Sequence, residues 1–124
     1  MTQTRDRIRQ SRRWVIKLGS SLLTNNGCGL KTDTLEIWVN QVMALREQGI
    51  DVVIVSSGAV AEGISRLGLK QRPHALHILQ AAAAVGQMGL IQAYEFCFQK
   101  FDVRTAQVLL THDEISNRSR YLNA

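Results

Sequence analysis

No run of about 18 apolar residues occurs in the 124-residue chain, so no membrane-spanning helix is expected. The arginines near the N-terminus lack the apolar core that would follow them in a secretory signal, and the expected location is cytoplasmic. Charged residues are only 20% of the chain against 45% hydrophobic ones, which places it well away from the disordered class and supplies enough apolar surface for one buried core. Cysteine is scarce: Cys28 and Cys97 stand 69 residues apart, without CxxC spacing and without His or acidic neighbours at metal-ligand intervals. Neither a disulfide framework nor a zinc site is supported. Cys97, in an apolar helical stripe, reads as a small core residue.

Several catalytic signatures are missing as well. There is no GxxxxGK followed by Ser or Thr, which excludes a Walker-type P-loop, and no GxGxxG after a strand, which leaves a dinucleotide fold unsupported. Ser57 has no GxSxG around it and no evident pairing with His74, His77 or His112, so a serine nucleophile is unsupported too.

What is present begins with charge. The net charge is +5, but it is concentrated: residues 1–13 hold Arg5, Arg7, Arg9, Arg12 and Arg13 against Asp6, while residues 14–124 carry ten bases and nine acids. A basic arm can tether phosphate, yet with a nearly neutral body the expectation is a flexible basic tail over 1–13, and nucleic acid is not an expected partner.

After that tail, Trp14-Val-Ile-Lys-Leu18 reads as a buried strand running into Gly19-Ser20-Ser21 and the glycine-punctuated loop 25–29. Leu35, Trp38, Val42 and Leu45 predict a helix over 33–48, with Asp33 and Glu36 in capping-box relation and Gly49 as its C-terminal stop. Asp51-Val-Val-Ile-Val55 is β-branched and lacks alternation, as expected of a strand covered on both faces of a parallel sheet. It leads into Ser56-Ser57-Gly58-Ala59 and a short helix over 60–67. Between 74 and 101, Leu76, Leu79, Ala83, Gly86, Leu90, Ala93 and Cys97 advance by alternating threes and fours, which marks one long helix or two joined near residues 86–89. Each interior glycine costs roughly 1 kcal/mol relative to alanine, and tight helix packing is the preferred reason for them. Residues 104–110 predict a third strand, and 111–124 another helix with Ser116 as its cap. The chain ends on Leu122-Asn-Ala124 without glycine or proline, so this last helix is expected to be cut rather than finished. Strand, helix, strand, helices, strand, helix points to a parallel α/β sheet.

In such a sheet ligands sit outside the carboxyl ends of the strands, where both Gly19-Ser20-Ser21 and Ser56-Ser57-Gly58 fall. Lys17 lies inside an apolar strand two residues before the first loop; a snorkelling head is one reading, a phosphate ligand the other. Phosphoryl transfer needs charge neutralisation by lysine, backbone N–H groups and Mg²⁺ more than covalent help. Ser57 can cap the helix that follows, grip a substrate carboxylate, or do both.

These residues carry a resemblance. Val15-Ile-Lys-Leu-Gly-Ser-Ser21 and Val53-Ile-Val-Ser-Ser-Gly-Ala-Val60 resemble blocks found across the amino acid kinase family. Ala83-Ala-Val-Gly-Gln87, Gln107-Val-Leu-Leu-Thr111 and Arg120-Tyr-Leu-Asn-Ala124, in this order and spacing, are similar to its glutamate 5-kinase branch. The resemblance implies a three-layer α/β/α sandwich with a mainly parallel sheet, of which residues 14–124 would be the N-terminal, mainly glutamate-binding portion, truncated at the C-terminus. It implies ATP and Mg²⁺ as cofactors and L-glutamate as substrate. By position, Lys17 matches the lysine on the transferring phosphates, Gly19 and Ser20 the adjoining phosphate loop, and Ser57, Gly58 and Ala59 the amino-acid loop; no metal ligand is implied. A homo-oligomer is implied, as is hand-over of γ-glutamyl phosphate to glutamate-5-semialdehyde dehydrogenase on the path to proline. The remaining binding residues would lie beyond Ala124, so residues 1–124 alone are expected to be inactive and partly unfolded or aggregated. The alternatives are an acetylglutamate or aspartate kinase type of the same family, or a non-catalytic anion-binding remnant.

Overall fold

Strands β1 (Arg13–Leu18) and β2 (Asp51–Ser56) pair in parallel, in register from Arg13↔Asp51 to Leu18↔Ser56, in the computed structural model, which describes residues 2–110 and 112–123. Side chains alternate across the pleat. Trp14, Ile16, Leu18, Val52, Ile54 and Ser56 are buried or half-buried, whereas Arg13, Val15, Lys17, Asp51, Val53 and Val55 are exposed. Cover on both faces, expected for β2, is therefore not what is found. Among the described residues one face is covered, and Val15, Val53 and Val55 on the other are 67%, 48% and 49% exposed. An apolar run reports what a strand could bury, not whether a second layer is there to bury it.

The basic N-terminal segment, expected as a tail, carries helix α1 (Thr2–Gln10), whose side chains from Gln3 to Gln10 are all exposed. Its last two arginines adjoin β2. The Arg12 carbonyl accepts the Asp51 N–H at 2.8 Å, and Arg13 opens β1 with an exposed ion pair to Asp51 at 3.2 Å, a contact of little energetic weight.

After β1 come the single turn α2 (Ser20–Leu23) and helix α3 (Thr32–Glu47), which leads to β2. Helix α3 buries Leu35, Val39 and Val42. The capping box does not form: the helix begins at Thr32, its N-cap Lys31 makes no side-chain bond, and Glu36 pairs instead with Lys100 at 2.6 Å. At the other end Gly49 has φ +77°, and the N–H groups of Gly49 and Ile50 donate to the carbonyls of Arg46 and Leu45, the Schellman closure the glycine predicts.

Helices α4 (Ala59–Arg66) and α5 (Leu76–Gln99) pack against each other through small residues. Helix α5 is continuous through Gly86 and Gly89, so the glycines serve close approach rather than a break. A Cβ on Gly86 would run into the Ala59 carbonyl oxygen, and one on Gly63 into that of Ala82. The core joins this pair to the sheet and α3 through Leu18, Leu23, Leu35, Val39, Val42, Leu90, Tyr94, Cys97 and Phe98.

Two expectations for the C-terminal part are corrected. Residues 104–110 form no strand among the described residues: Thr105 is held to Glu95 of α5, and Val108, Leu109 and Leu110 are exposed. A strand needs a ladder partner, and among the described residues neither β1 nor β2 pairs with this segment. In place of one helix over 111–124, whose end residues lie outside the described ones, there are two short helices, α6 (His112–Ser116) and α7 (Arg118–Tyr121). The cap is Asn117, whose side chain accepts the Ser119 N–H, rather than Ser116. No helix among the described residues is long and apolar enough to cross a membrane.

Candidate functional site

Parallel pairing puts the carboxyl ends of β1 and β2 side by side, and the loops that leave them are bonded to each other. The Ser57 N–H donates to the Leu18 carbonyl at 3.0 Å, and the Ser57 hydroxyl donates to the same oxygen at 3.3 Å. This corrects one reading of Ser57. The N-cap of α4 is Gly58, without a side-chain cap bond, so the serine ties loop to loop and does not close the helix. Gly58 has φ +110° and ψ −5°, a left-handed conformation that L side chains rarely adopt. It is also walled in, since a Cβ there would meet Leu30 Cδ2 at 3.3 Å, Thr24 Cγ2 at 3.7 Å and Leu90 Cδ1 at 3.8 Å.

The first loop is held from within. Thr24, almost fully buried, donates its hydroxyl to the Ser20 carbonyl at 2.7 Å and accepts the Gly27 N–H at 3.1 Å. Beyond it Asn26 and Gly27 take positive φ in a tight turn closed from Cys28 N–H to the Asn25 carbonyl at 3.0 Å. The Gly29 N–H reaches the Ala61 carbonyl of α4 at 2.9 Å. The loop after β1 is thus docked on the helix after β2.

Lys17 lies on the exposed face of β1, opposite Val55, with no ion pair among the described residues. Its ammonium is a free cation two residues before Gly19, at which a Cβ would meet nothing within 4 Å. At the start of α4 the N–H groups of Gly58, Ala59 and Val60 make no hydrogen bond among the described residues, as the geometry of a helix start requires. An unpaired ammonium and unpaired N–H donors suit phosphate or carboxylate oxygens. No group of three or more His, Cys, Asp or Glu that could hold a metal exists among the described residues, so no side chain here is assigned to Mg²⁺.

All six residues singled out from the sequence fall in this region: Lys17, Gly19 and Ser20 on the β1 side, Ser57, Gly58 and Ala59 on the β2 side. None of them lines the cavity of about 710 Å³ that lies among Cys28, Glu36, Glu62, Arg66, Gln92 and Phe96. There the Arg66 guanidinium is already engaged by Glu62 at 3.0 Å and Gln92 at 3.3 Å, so the cavity offers no free charge and is not the candidate site.

Sequence reasoning missed two residues. Thr24 gave no local signal. Tyr94 stands four residues after Leu90 and three before Cys97 on the buried stripe of α5, a polar tip among apolar neighbours, and that position was the available clue. It is buried, 6% exposed, and its hydroxyl donates to Ser56 Oγ at 2.7 Å. Burial pushes its phenol above the usual range, the bond to Ser56 opposing and the neighbouring Cys97 adding to the rise.

Residues 12–124 match the sequence model of the amino acid kinase family. The chain is 65% identical to the glutamate 5-kinase of Thioalkalivibrio sulfidiphilus over all 124 of its residues, which is 33% of that protein. It is 62% identical to the glutamate 5-kinase of Hahella chejuensis over 123 residues, 99% of this chain and 32% of that one, and 64% identical to that of Hydrogenovibrio crunogenus over 122 residues, 98% and 32% respectively. The chain spans about a third of the length of the curated relatives it matches.

Proposed function

The chain belongs to the amino acid kinase family, and from that premise we propose that it forms the glutamate-binding portion of a kinase that phosphorylates the side-chain carboxylate of L-glutamate. The observation that carries this reading is the direct bond between the two strand-end loops, Ser57 N–H to Leu18 carbonyl at 3.0 Å, with the free ammonium of Lys17 on the adjoining strand. The names of the relatives supply the amino acid.

In this reading the Ser57 to Ala59 loop receives the amino acid. The open N–H groups at the start of α4 face its carboxylate, and Ser57 Oγ keeps acceptor capacity beyond its bond to Leu18. Lys17, with the backbone of Gly19 and Ser20, lies against the phosphate oxygens. ATP supplies the phosphoryl group when bound. The Lys17 charge counts most as negative charge redistributes during transfer, so its removal depresses turnover more than substrate binding. The product is an acyl phosphate, which a reductase such as glutamate-5-semialdehyde dehydrogenase would consume on the way to proline, in the cytoplasm. The exposed apolar residues Leu76, Val85, Met88 and Phe96 along α5 support self-association through this helix.

The test is hydroxylamine trapping of acyl phosphate with ATP and Mg²⁺. The protein is a chimera in which these 124 residues replace the matching third of the Thioalkalivibrio enzyme, offered glutamate, aspartate and N-acetylglutamate. Glutamate-specific trapping is expected, absent from the 124 residues alone. Lys17→Ala is expected to lower kcat by about a hundredfold or more, the scale of losing one charge-stabilising group, and Ser57→Ala to act mainly on the KM for glutamate. Unchanged turnover in Lys17→Ala overturns the assignment of that lysine. Trapping with another acid moves the chain within its family, and a chimera inactive on all three removes the kinase reading.

A further inference from the structure

The end of β2 is tied to α5 by a relay of hydroxyls. Tyr94 donates to Ser56 Oγ at 2.7 Å, and Ser56 Oγ donates onward to the Ser57 carbonyl at 3.0 Å. The two bonds run in one direction, Ser56 Oγ accepting from Tyr94 and donating to the Ser57 carbonyl, so each strengthens the other. A buried phenol needs a partner, and Ser56, on the inward side of β2, is the partner found.

The relay ends on a particular peptide. In a planar trans peptide the C=O and the following N–H point in opposite directions. Holding the Ser57 carbonyl toward Ser56 therefore sets the direction of the Gly58 N–H, one of the unpaired donors at the start of α4. Ser57 is held on its other side as well, because its N–H and its hydroxyl both reach the Leu18 carbonyl. One helical turn before Tyr94, Leu90 of the same helix bounds the space beside Gly58. Helix α5 thus touches this loop twice, through an apolar contact at Leu90 and through a hydrogen-bonded one at Tyr94.

We propose that Tyr94 is a positioning residue for the amino-acid loop, acting through Ser56 to fix the Ser57–Gly58 peptide in the orientation that presents its N–H to ligand. Tyr94 itself touches no substrate. The identity of the ligand rests on the glutamate kinase reading above; the orientation of the peptide does not.

Amide hydrogen exchange, without ligand, tests the positioning on these residues within the chimera. The proteins are wild type, Tyr94→Phe, Ser56→Ala and the double variant. Tyr94→Phe keeps the ring and removes only the hydroxyl. Exchange at the Ser57 N–H, which is bonded to the Leu18 carbonyl, is expected to quicken by about tenfold, the scale of one lost hydrogen bond, with the β1–β2 ladder unchanged. The double variant should be no faster than either single one, because both cut the same relay. In the chimera, Tyr94→Phe should raise the KM for glutamate severalfold while kcat and the KM for ATP stay within about twofold, the pattern of lost ground-state binding. Unchanged exchange at Ser57, equal acceleration across the ladder, or additive single effects each overturn the positioning role. Should the unsubstituted chimera prove inactive with glutamate while the exchange pattern appears, the relay stands and the substrate assignment falls.

Discussion

The α4–α5 contact and the outer face of the β1–β2 sheet are both rich in small or β-branched apolar residues, yet they have opposite fates. Between the helices, Gly63 and Gly86 let backbone meet backbone so closely that a methyl group would strike a carbonyl oxygen. On the sheet, Val15, Val53 and Val55 remain in water with Lys17 among them. Apolar composition alone does not distinguish the two regions. The difference is whether a partner lies within reach: α5 follows α4 after a short connection, whereas the described chain sends no element across the outer face.

The largest expected effect comes from breaking the closed contact. Gly86→Ala puts a Cβ where the Ala59 carbonyl oxygen stands, and the helices must move apart. Despite alanine's better helix propensity, a loss of about 3 kcal/mol is expected, at the upper end for overpacking, read from urea unfolding followed by circular dichroism. No change in stability would mean that α4 and α5 are not in intimate contact.

A second effect sharpens the comparison through pH. Tyr94, on the closed side, has its phenol pushed above the usual value of 10.0, first by burial. Cys97 has its thiol pushed above 9.0, by burial and then by the Glu36 charge. Both folded-state values lie above the unfolded ones, so the folded chain retains protons that the unfolded chain releases. Their contribution is complete below about pH 9 and is lost as pH rises through 9 and then past 10. Melting temperatures measured from pH 8 to 11 should fall, and fall less in the Cys97→Ala, Tyr94→Phe double variant. An identical slope in the two proteins would remove these groups as its cause.

The smallest effect is on the open face. Val15→Thr, Val53→Thr and Val55→Thr should each change unfolding free energy by no more than about 0.5 kcal/mol, as at other exposed positions. Together they should reduce self-association in sedimentation, because they shrink an exposed apolar patch. A cost per site near that of a core truncation would show that this face is covered in solution.

The sequence reading located the two strands, helices α3 and α4 and the continuous stripe of α5 to within one or two residues, because each has a local signature: β-branched content, threes and fours, or a glycine stop. The six candidate residues were legible for a related reason, since a lysine before a glycine loop and a small-residue turn before a helix are patterns within a few consecutive positions. The misses share the opposite character. Glu36 reads as half of a capping box but answers to Lys100, and residues 104–110 have strand composition but no strand paired to them among the described residues.

By itself the sequence determined where β1, β2, α3, α4 and α5 form and which two loops carry the small and charged residues, because periodicity, propensity and stop signals act between near neighbours. Only the tertiary structure decided that Ser57 bonds to Leu18, 39 residues away, rather than capping its helix. It also decided that Tyr94 reaches back 38 residues to Ser56, and that one face of the sheet is buried and the other left open. Such partners are chosen when packing brings distant segments together, where buried polar groups must be satisfied by whatever donor or acceptor lies within hydrogen-bond distance.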